Sequence, residues 1–372
     1  MHSTLPAQQE RPVRTCPPEG ARRPGRLAAL DGLRLLAALM VVAYHYLAFD
    51  SGAWPRPPRE AFPHAHLPAA YGWLGVQLFF LISGFVICMT CWDRSPGQFA
   101  LSRVRRLFPL YWFAVPAVAL VATLWPSVGG VPRPRDVAVN LTMLQAPLGV
   151  EAVDGVYWTL WVELRFYLLI ALLARKGLTH GRAVGFCVLW ALGAALATAT
   201  DDALLRELLL PRHCWYFIAG TAFYLMHRFG PNLVLWIVTG GCFLVAQHQL
   251  PTLQSHAEGH LGHRVPHWPA ALLVTLFFLA LAAVALGWTR TVRWRWLTVA
   301  GALTYPLYLL HERIGWTVIK HADGLLPRSA LVAALVAGML SASWLAHRFV
   351  ERPLAAALGR GLRQAGAAVR TG

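Results

Sequence analysis

LDGLRLLAALMVVAYHYLAF, residues 30–49, is the stretch on which the reading of the whole chain turns. Twenty mostly apolar residues are long enough to cross a hydrocarbon core of roughly 30 Å as a helix. Two ionisable side chains interrupt the run, Arg34 and His45. At 100° per residue they fall on one stripe of that helix, roughly 16 Å apart along its axis. A charge inside a bilayer costs roughly 2.5–3.5 kcal/mol on insertion scales, so each such group needs a partner or a task. One reading places a cation at the mouth of a path and an imidazole deeper in it. The other lets Arg34 snorkel to headgroups beside Asp31 while His45 sits at the interface.

Composition extends the first run to the whole molecule. The 372 residues are 57% hydrophobic and 13% charged, about half the charge of a soluble domain. Runs like the first recur at about 29–49, 71–91, 106–125, 155–174, 181–200, 208–227, 231–250, 268–289, 296–316 and 328–349, which predicts an all-α polytopic bundle of about ten spans. Residues 136–149 are too short and polar to span and predict a half-inserted or interfacial helix. Residues 1–26 read as a disordered basic tail without the apolar region of a cleavable signal, 27–355 as one membrane domain and 356–372 as a second tail. Alternate loops carry the basic residues: Arg94, Arg103, Arg105 and Arg106, then Arg175, Lys176 and Arg182, then Arg290, Arg293 and Arg295. Loops of the other set hold the acids Asp50, Glu60, Glu151, Asp154, Asp201 and Asp202. Both termini are therefore expected in the cytoplasm. The net charge of +16 is explained by this topology, without nucleic acid as a partner.

Further polar groups lie within the runs. Arg103, Arg105 and Arg106 either clamp phosphates or anchor a loop on the positive side. Glu163 and Arg165 are two residues apart on a helix, so they face different ways and each needs a partner on another helix. Counting along the span puts Glu163 at the depth of His45, where a carboxylate would orient the imidazole. His311, Glu312 and Arg313 crowd the ninth run, either lining a substrate chamber or closing a network with Glu163. Ser83 and Gly84 suit close helix packing. Five histidines between 248 and 267 have spacings that match no familiar zinc site, and the lone Cys88/Cys91 pair lacks a second pair, so no metal is expected.

Six blocks in order carry a resemblance: LDGLRLLAALMVVAYH (30–45), GVQLFFLISGF (75–85), RVRRLFPLYW (103–112), YWTLWVELRFYLL (157–169), LTYPLYLLH (303–311) and FVERP (349–353). Together they resemble the acyltransferase 3 family of bacterial membrane O-acyltransferases over 27–355. The resemblance implies a multi-pass inner-membrane enzyme moving an acyl group from cytoplasmic acyl-CoA, acetyl-CoA foremost, to a hydroxyl of a carbohydrate or glycosylated small molecule. It implies no permanently bound cofactor. Its Arg-x10-His signature falls on Arg34 and His45, its arginine motif on Arg103, Arg105 and Arg106, and its fourth-span glutamate on Glu163. His45 would then act as general base or as acyl-accepting nucleophile, with Arg34 and Glu163 in the catalytic group and the arginines on the CoA phosphates. Gln77 and Arg165 depart from the family's pattern and, with His311 and Glu312, are candidate substrate contacts. The competing class is a transporter or exporter of an acylated sugar, which also uses intramembrane polar groups, although the two halves show no internal repeat.

Overall fold

The computed structural model describes residues 27–371, and the tail of 1–26 expected to be disordered lies outside them. The described chain is helical without strands. Ten long helices account for the ten runs: α1 Ala28–Leu47, α2 Gly75–Cys91, α3 Pro96–Leu124, α4 Trp158–Ala174, α5 His180–Thr200, α6 Cys214–Phe229, α7 Leu233–Leu261, α8 Trp268–Ala285, α9 Arg295–Ala322 and α10 Arg328–Ala346. A further helix, α11, runs over Arg352–Thr371, where the sequence suggested only a tail.

Among the described residues, eight helical stretches are long and apolar enough to cross a membrane. The two helices outside that set are α6 and α9. Helix α6 has 16 residues and is buried over nearly its whole length. Helix α9 is continuous, but its apolar run is interrupted by the charges at 311–313, of which His311 and Glu312 are buried inside the protein. Both are surrounded by neighbouring helices, so neither needs a full-length apolar face of its own. Leu189, Leu192 and Leu196 on α5 and Leu233, Ile237 and Leu244 on α7 are exposed, as an outer shell of a bundle in lipid requires.

Two boundary shifts matter for the site. Helix α3 begins at Pro96, not near 106, because Ser95 and Gln98 form a reciprocal capping box and Pro96 occupies the first helical turn. Arg103, Arg105 and Arg106 are therefore helical and not in a loop. Helix α7 continues through Pro251 to Leu261, where Gly262 (φ +72°) ends it in the left-handed region. It carries a stripe of His248, Thr252, His256 and His260 on one face. The interfacial segment is shorter than expected: a helix at Pro134–Asn140, then turns. Buried Asn140 holds it by donating to the carbonyls of Asp136 (2.8 Å) and Glu151 (2.9 Å) and accepting from Val153 N–H.

At the centre, α2 and α6 meet at Gly84 and Gly220. A Cβ on Gly220 would lie 2.0 Å from the Leu81 carbonyl oxygen, and one on Gly84 2.2 Å from that of Phe217, so only glycine permits this approach. Helices α1 and α9 pack along each other. That pairing brings together the most polar membrane segments of the chain.

Candidate active site

Near the C-terminal end of α1, His45 meets α9. Its Nδ1 lies 3.0 Å from His311 Nε2, and its Nε2 lies 3.7 Å from Glu312 Oε1. The proton positions follow from what His311 faces. Its Nδ1 contacts the carbonyls of Leu307 (3.1 Å) and Tyr308 (2.9 Å), which can only accept, so this nitrogen carries the proton. In a neutral His311 the Nε2 is then an acceptor, and His45 Nδ1–H donates to it. The lone pair of His45 is left on Nε2, the nitrogen beside Glu312. The pair of rings works as a relay that fixes one tautomer of His45.

The backbone around both rings is pinned. Trp316 Nε1 donates to the His45 carbonyl (2.9 Å), Tyr46 Oη to that of His311 (2.7 Å), and Trp54 Nε1 to that of Tyr46 (2.9 Å). Glu312 is buried and accepts Val156 N–H at 2.7 Å. A Cβ on Gly155 would sit 2.6 Å from Glu312 Oε1, so glycine there allows the carboxylate its place. Buried Asp154 accepts the Val156 (3.3 Å) and Arg313 (3.2 Å) backbone N–H groups, while the Arg313 guanidinium binds the carbonyls of Val153 and Gly130.

His45 and Glu312 line a cavity of about 840 Å³, walled by Tyr44, Phe49, Trp73 and Trp158 and by the polar stripe of α7. Phe49 stacks on His260, with centroids 4.6 Å apart, and ties the end of α1 to that stripe. Gln77 and His213 also line this chamber. His66 and His263 pair outside it at 2.7 Å. Among the described residues no cluster of three or more His, Cys, Asp or Glu side chains is placed to hold a metal ion.

A second, smaller cavity of about 130 Å³ lies towards the other end of α1. Arg34, Arg103, Arg106, Glu163, Ser83 and Tyr305 line it. Arg103 and Arg106 are three residues apart on α3 and share a face; Arg105 points away and packs its guanidinium where a Cβ on Gly359 of α11 would lie. The arginine triplet therefore divides, two towards the cavity and one against the C-terminal helix. Arg34 also stands 4.0 Å from Asp31, so its ion pair and its place at a cavity coexist.

Glu163 is not the partner of His45. It accepts a hydrogen bond of 2.5 Å from Ser83 Oγ and belongs to the arginine cavity. The depth count fails because α4 does not start at the surface. Residues 151–157 dip inward, bonding Glu312 through Val156, and the helix begins from there. The carboxylate beside His45 is Glu312. Arg165 points to the opposite face, as its spacing from Glu163 required. It binds Glu207 through the side chain (2.9 Å) and the backbone carbonyl (2.6 Å) and lies over the Trp161 ring. It is not among the groups lining either cavity.

The model of the acyltransferase domain family matches residues 27–348, nearly the whole described bundle. The chain belongs to that family. It is similar to the acyltransferase MdmB of Streptomyces mycarofaciens, at 26% identity over 90% of this chain and 93% of that protein. It is also similar to the exopolysaccharide production protein ExoZ of Rhizobium meliloti, at 29% identity over 76% of this chain and 89% of that one. The peptidoglycan O-acetyltransferase OatA of Listeria monocytogenes is 31% identical over 26% of this chain and 14% of its own length. No solved structure matches the chain. The protein is thus an integral-membrane enzyme that transfers acyl groups, and the transporter reading gives way.

Two features of the acyltransferase went unread in the sequence. Asp154 counted there as one of the outer-loop acids, yet it is buried beside Glu312. Glu351, within the FVERP block, is buried in a π-helical turn at His347–Glu351. It binds the Arg106 guanidinium and accepts from His347 Nδ1 at 2.7 Å. The signal was a lone acid at the end of an apolar run, whose partner is 245 residues away. Such widened turns concentrate at functional positions.

Proposed function

We propose that the enzyme moves an acyl group from cytoplasmic acyl-CoA, acetyl-CoA foremost, across its own interior to a hydroxyl of a carbohydrate or glycosylated acceptor, with His45 as general base. The observation that carries this reading is the alignment of two unlike cavities along α1. One is lined by three guanidiniums; the other is a wide aromatic chamber into which His45 offers an unprotonated nitrogen. Guanidinium groups suit phosphates, which accept two parallel hydrogen bonds from each fork. Arg34, Arg103 and Arg106 would hold the CoA phosphates, and the concentration of arginine in that set of loops supports its cytoplasmic side. Flat aromatic walls with sparse polar groups suit the faces and hydroxyls of a sugar. Two relatives, a peptidoglycan O-acetyltransferase and an exopolysaccharide production protein, support the same acceptor class.

In this mechanism His45 Nε2 takes the proton of the acceptor hydroxyl as its oxygen attacks the thioester carbonyl. The imidazolium so formed faces Glu312, which stabilises it, while His311 holds the ring through Nδ1. The tetrahedral intermediate collapses with cleavage of the C–S bond. The CoA thiolate leaves and takes up the proton that His45 acquired, so the ester and free CoA are the two products.

Membranes containing the enzyme, incubated with isotope-labelled acetyl-, propionyl- and longer acyl-CoA, should yield a labelled ester identifiable by mass spectrometry, with matching release of CoA. CoA-independent labelling would contradict the reading. A positioning role for Glu351 follows from it. The Glu351→Gln variant loses one charge-assisted contact to Arg106, worth roughly 1.5–3 kcal/mol. The KM for acyl-CoA is expected to rise about tenfold while kcat changes little. Steady-state kinetics over a range of acyl-CoA concentrations measures this split.

A further inference from the structure

The two cavities share two lining residues, Val76 on α2 and Tyr308 on α9. Tyr308 is buried at 7% exposure, and its position is fixed at both ends. Its hydroxyl is 2.8 Å from Thr159 Oγ1 and 3.3 Å from the Val156 carbonyl, both on the segment that opens α4. Its ring meets Phe79 edge-on, with centroids 5.6 Å apart. The aromatic ring therefore stands, held in place, between the small cavity and the large one. A group moving from one to the other past this shared wall would meet it.

We propose that Tyr308, together with Val76, screens acyl groups by cross-section at the neck between the cavities. This rests on the donor reading of the arginine cavity. A linear acyl chain moves through a neck end-on, so its length costs little there, and the chamber beyond is large. A branch at the α-carbon or an aromatic ring widens the advancing group and meets the Tyr308 ring, which the bonds to Thr159 and Val156 keep from swinging aside. The acyltransferase is thereby specific for slender acyl groups such as acetyl and propionyl, and excludes isobutyryl and benzoyl. Tyr308 also touches the base relay, through its backbone carbonyl, to which His311 Nδ1 donates at 2.9 Å, and through its ring, whose centroid lies 5.9 Å from that of His311. Changing its side chain leaves the hydrogen bond in place but removes the ring contact, so screening is read from the ratio between donors, which a change in the shared proton-transfer step does not move.

The test uses the full-length enzyme in lipid nanodiscs, with 4-nitrophenyl β-D-glucopyranoside as probe acceptor and acetyl-, propionyl-, isobutyryl- and benzoyl-CoA as donors. The readout is the ratio of kcat/KM for isobutyryl- and acetyl-CoA. Isobutyryl carries two carbons more than acetyl, and a single extra methylene in a fitted site already discriminates by about 10–200-fold, so the wild type should favour acetyl over isobutyryl by at least about tenfold. Tyr308→Ala should raise the isobutyryl-to-acetyl ratio by a comparable factor, and Val76→Ala should move it the same way. Tyr308→Phe keeps the ring but loses the hydroxyl bonds that hold it, so its ratio should fall between those of the wild type and Tyr308→Ala. A structural role alone would lower all four donors together and leave the ratio unchanged. The proposal is overturned if the wild type accepts isobutyryl-CoA as well as acetyl-CoA, or if folded Tyr308→Ala or Val76→Ala enzyme keeps the wild-type ratio. Absence of CoA release by the wild type from every donor would instead overturn the donor reading on which the proposal stands.

Discussion

His45→Ala enzyme is expected to insert and fold normally while losing about 10²–10⁴-fold in acyl transfer, the contribution typical of a positioned general base. The loss should lie in kcat, because the arginines that would hold acyl-CoA are in a separate cavity and remain intact. Truncating the ring removes its edge contact with Trp316, with centroids 5.7 Å apart, but leaves the Trp316 hydrogen bond to the residue 45 carbonyl. Elution profile in detergent and initial-rate assays on the same preparation separate the two effects. A folded variant with a kcat within about tenfold of wild type would exclude His45 as the base.

The second large effect concerns the residue that replaced Glu163 in the geometry. Glu312→Gln keeps the shape of the side chain and an oxygen for Val156 N–H, but removes the negative charge 3.7 Å from His45 Nε2. Stabilisation of the imidazolium formed during proton transfer is lost. The expected fall in kcat is about 10²–10³-fold, as for loss of one preorganised electrostatic group. Glu163→Gln changes a side chain bound to Ser83 beside Arg34, so its effect should appear mainly in KM for acyl-CoA. Parallel kinetics of the two variants measure the difference. If Glu163→Gln lowers kcat by the larger factor and Glu312→Gln changes it little, the assignment of carboxylates is reversed.

The bundle was largely legible because apolar runs of spanning length are a signal that short-range sequence carries by itself. All ten runs are helices, and the opposed directions of Glu163 and Arg165 followed from helical spacing alone, one to Ser83 and the other to Glu207. Depth was not legible. Whether a helix starts at the surface or below it depends on the preceding loop, and the inward dip at 151–157 is set by contacts with Glu312 far along the chain. The start of α3 was misplaced for the opposite reason: its polar first turns lack apolar periodicity, although Ser95, Pro96 and Gln98 spell a capping box. The partnership of His45 with His311 and Glu312, and of Arg106 with Glu351, joins residues more than 240 positions apart. Each group was visible as an unusual charge in an apolar run; the pairing required the fold.

The route through the molecule is tested most directly by sidedness. Sealed inverted membrane vesicles, which expose the cytoplasmic face outward, and sealed right-side-out vesicles would each be given acetyl-CoA labelled in the acetyl group from outside. The expected result is label transferred only in the inverted vesicles, with free CoA released outside and the labelled ester recovered from the lumen. Equal transfer from both faces, or labelled ester formed on the same side as the donor, would contradict passage of the acyl group from Arg34 to His45.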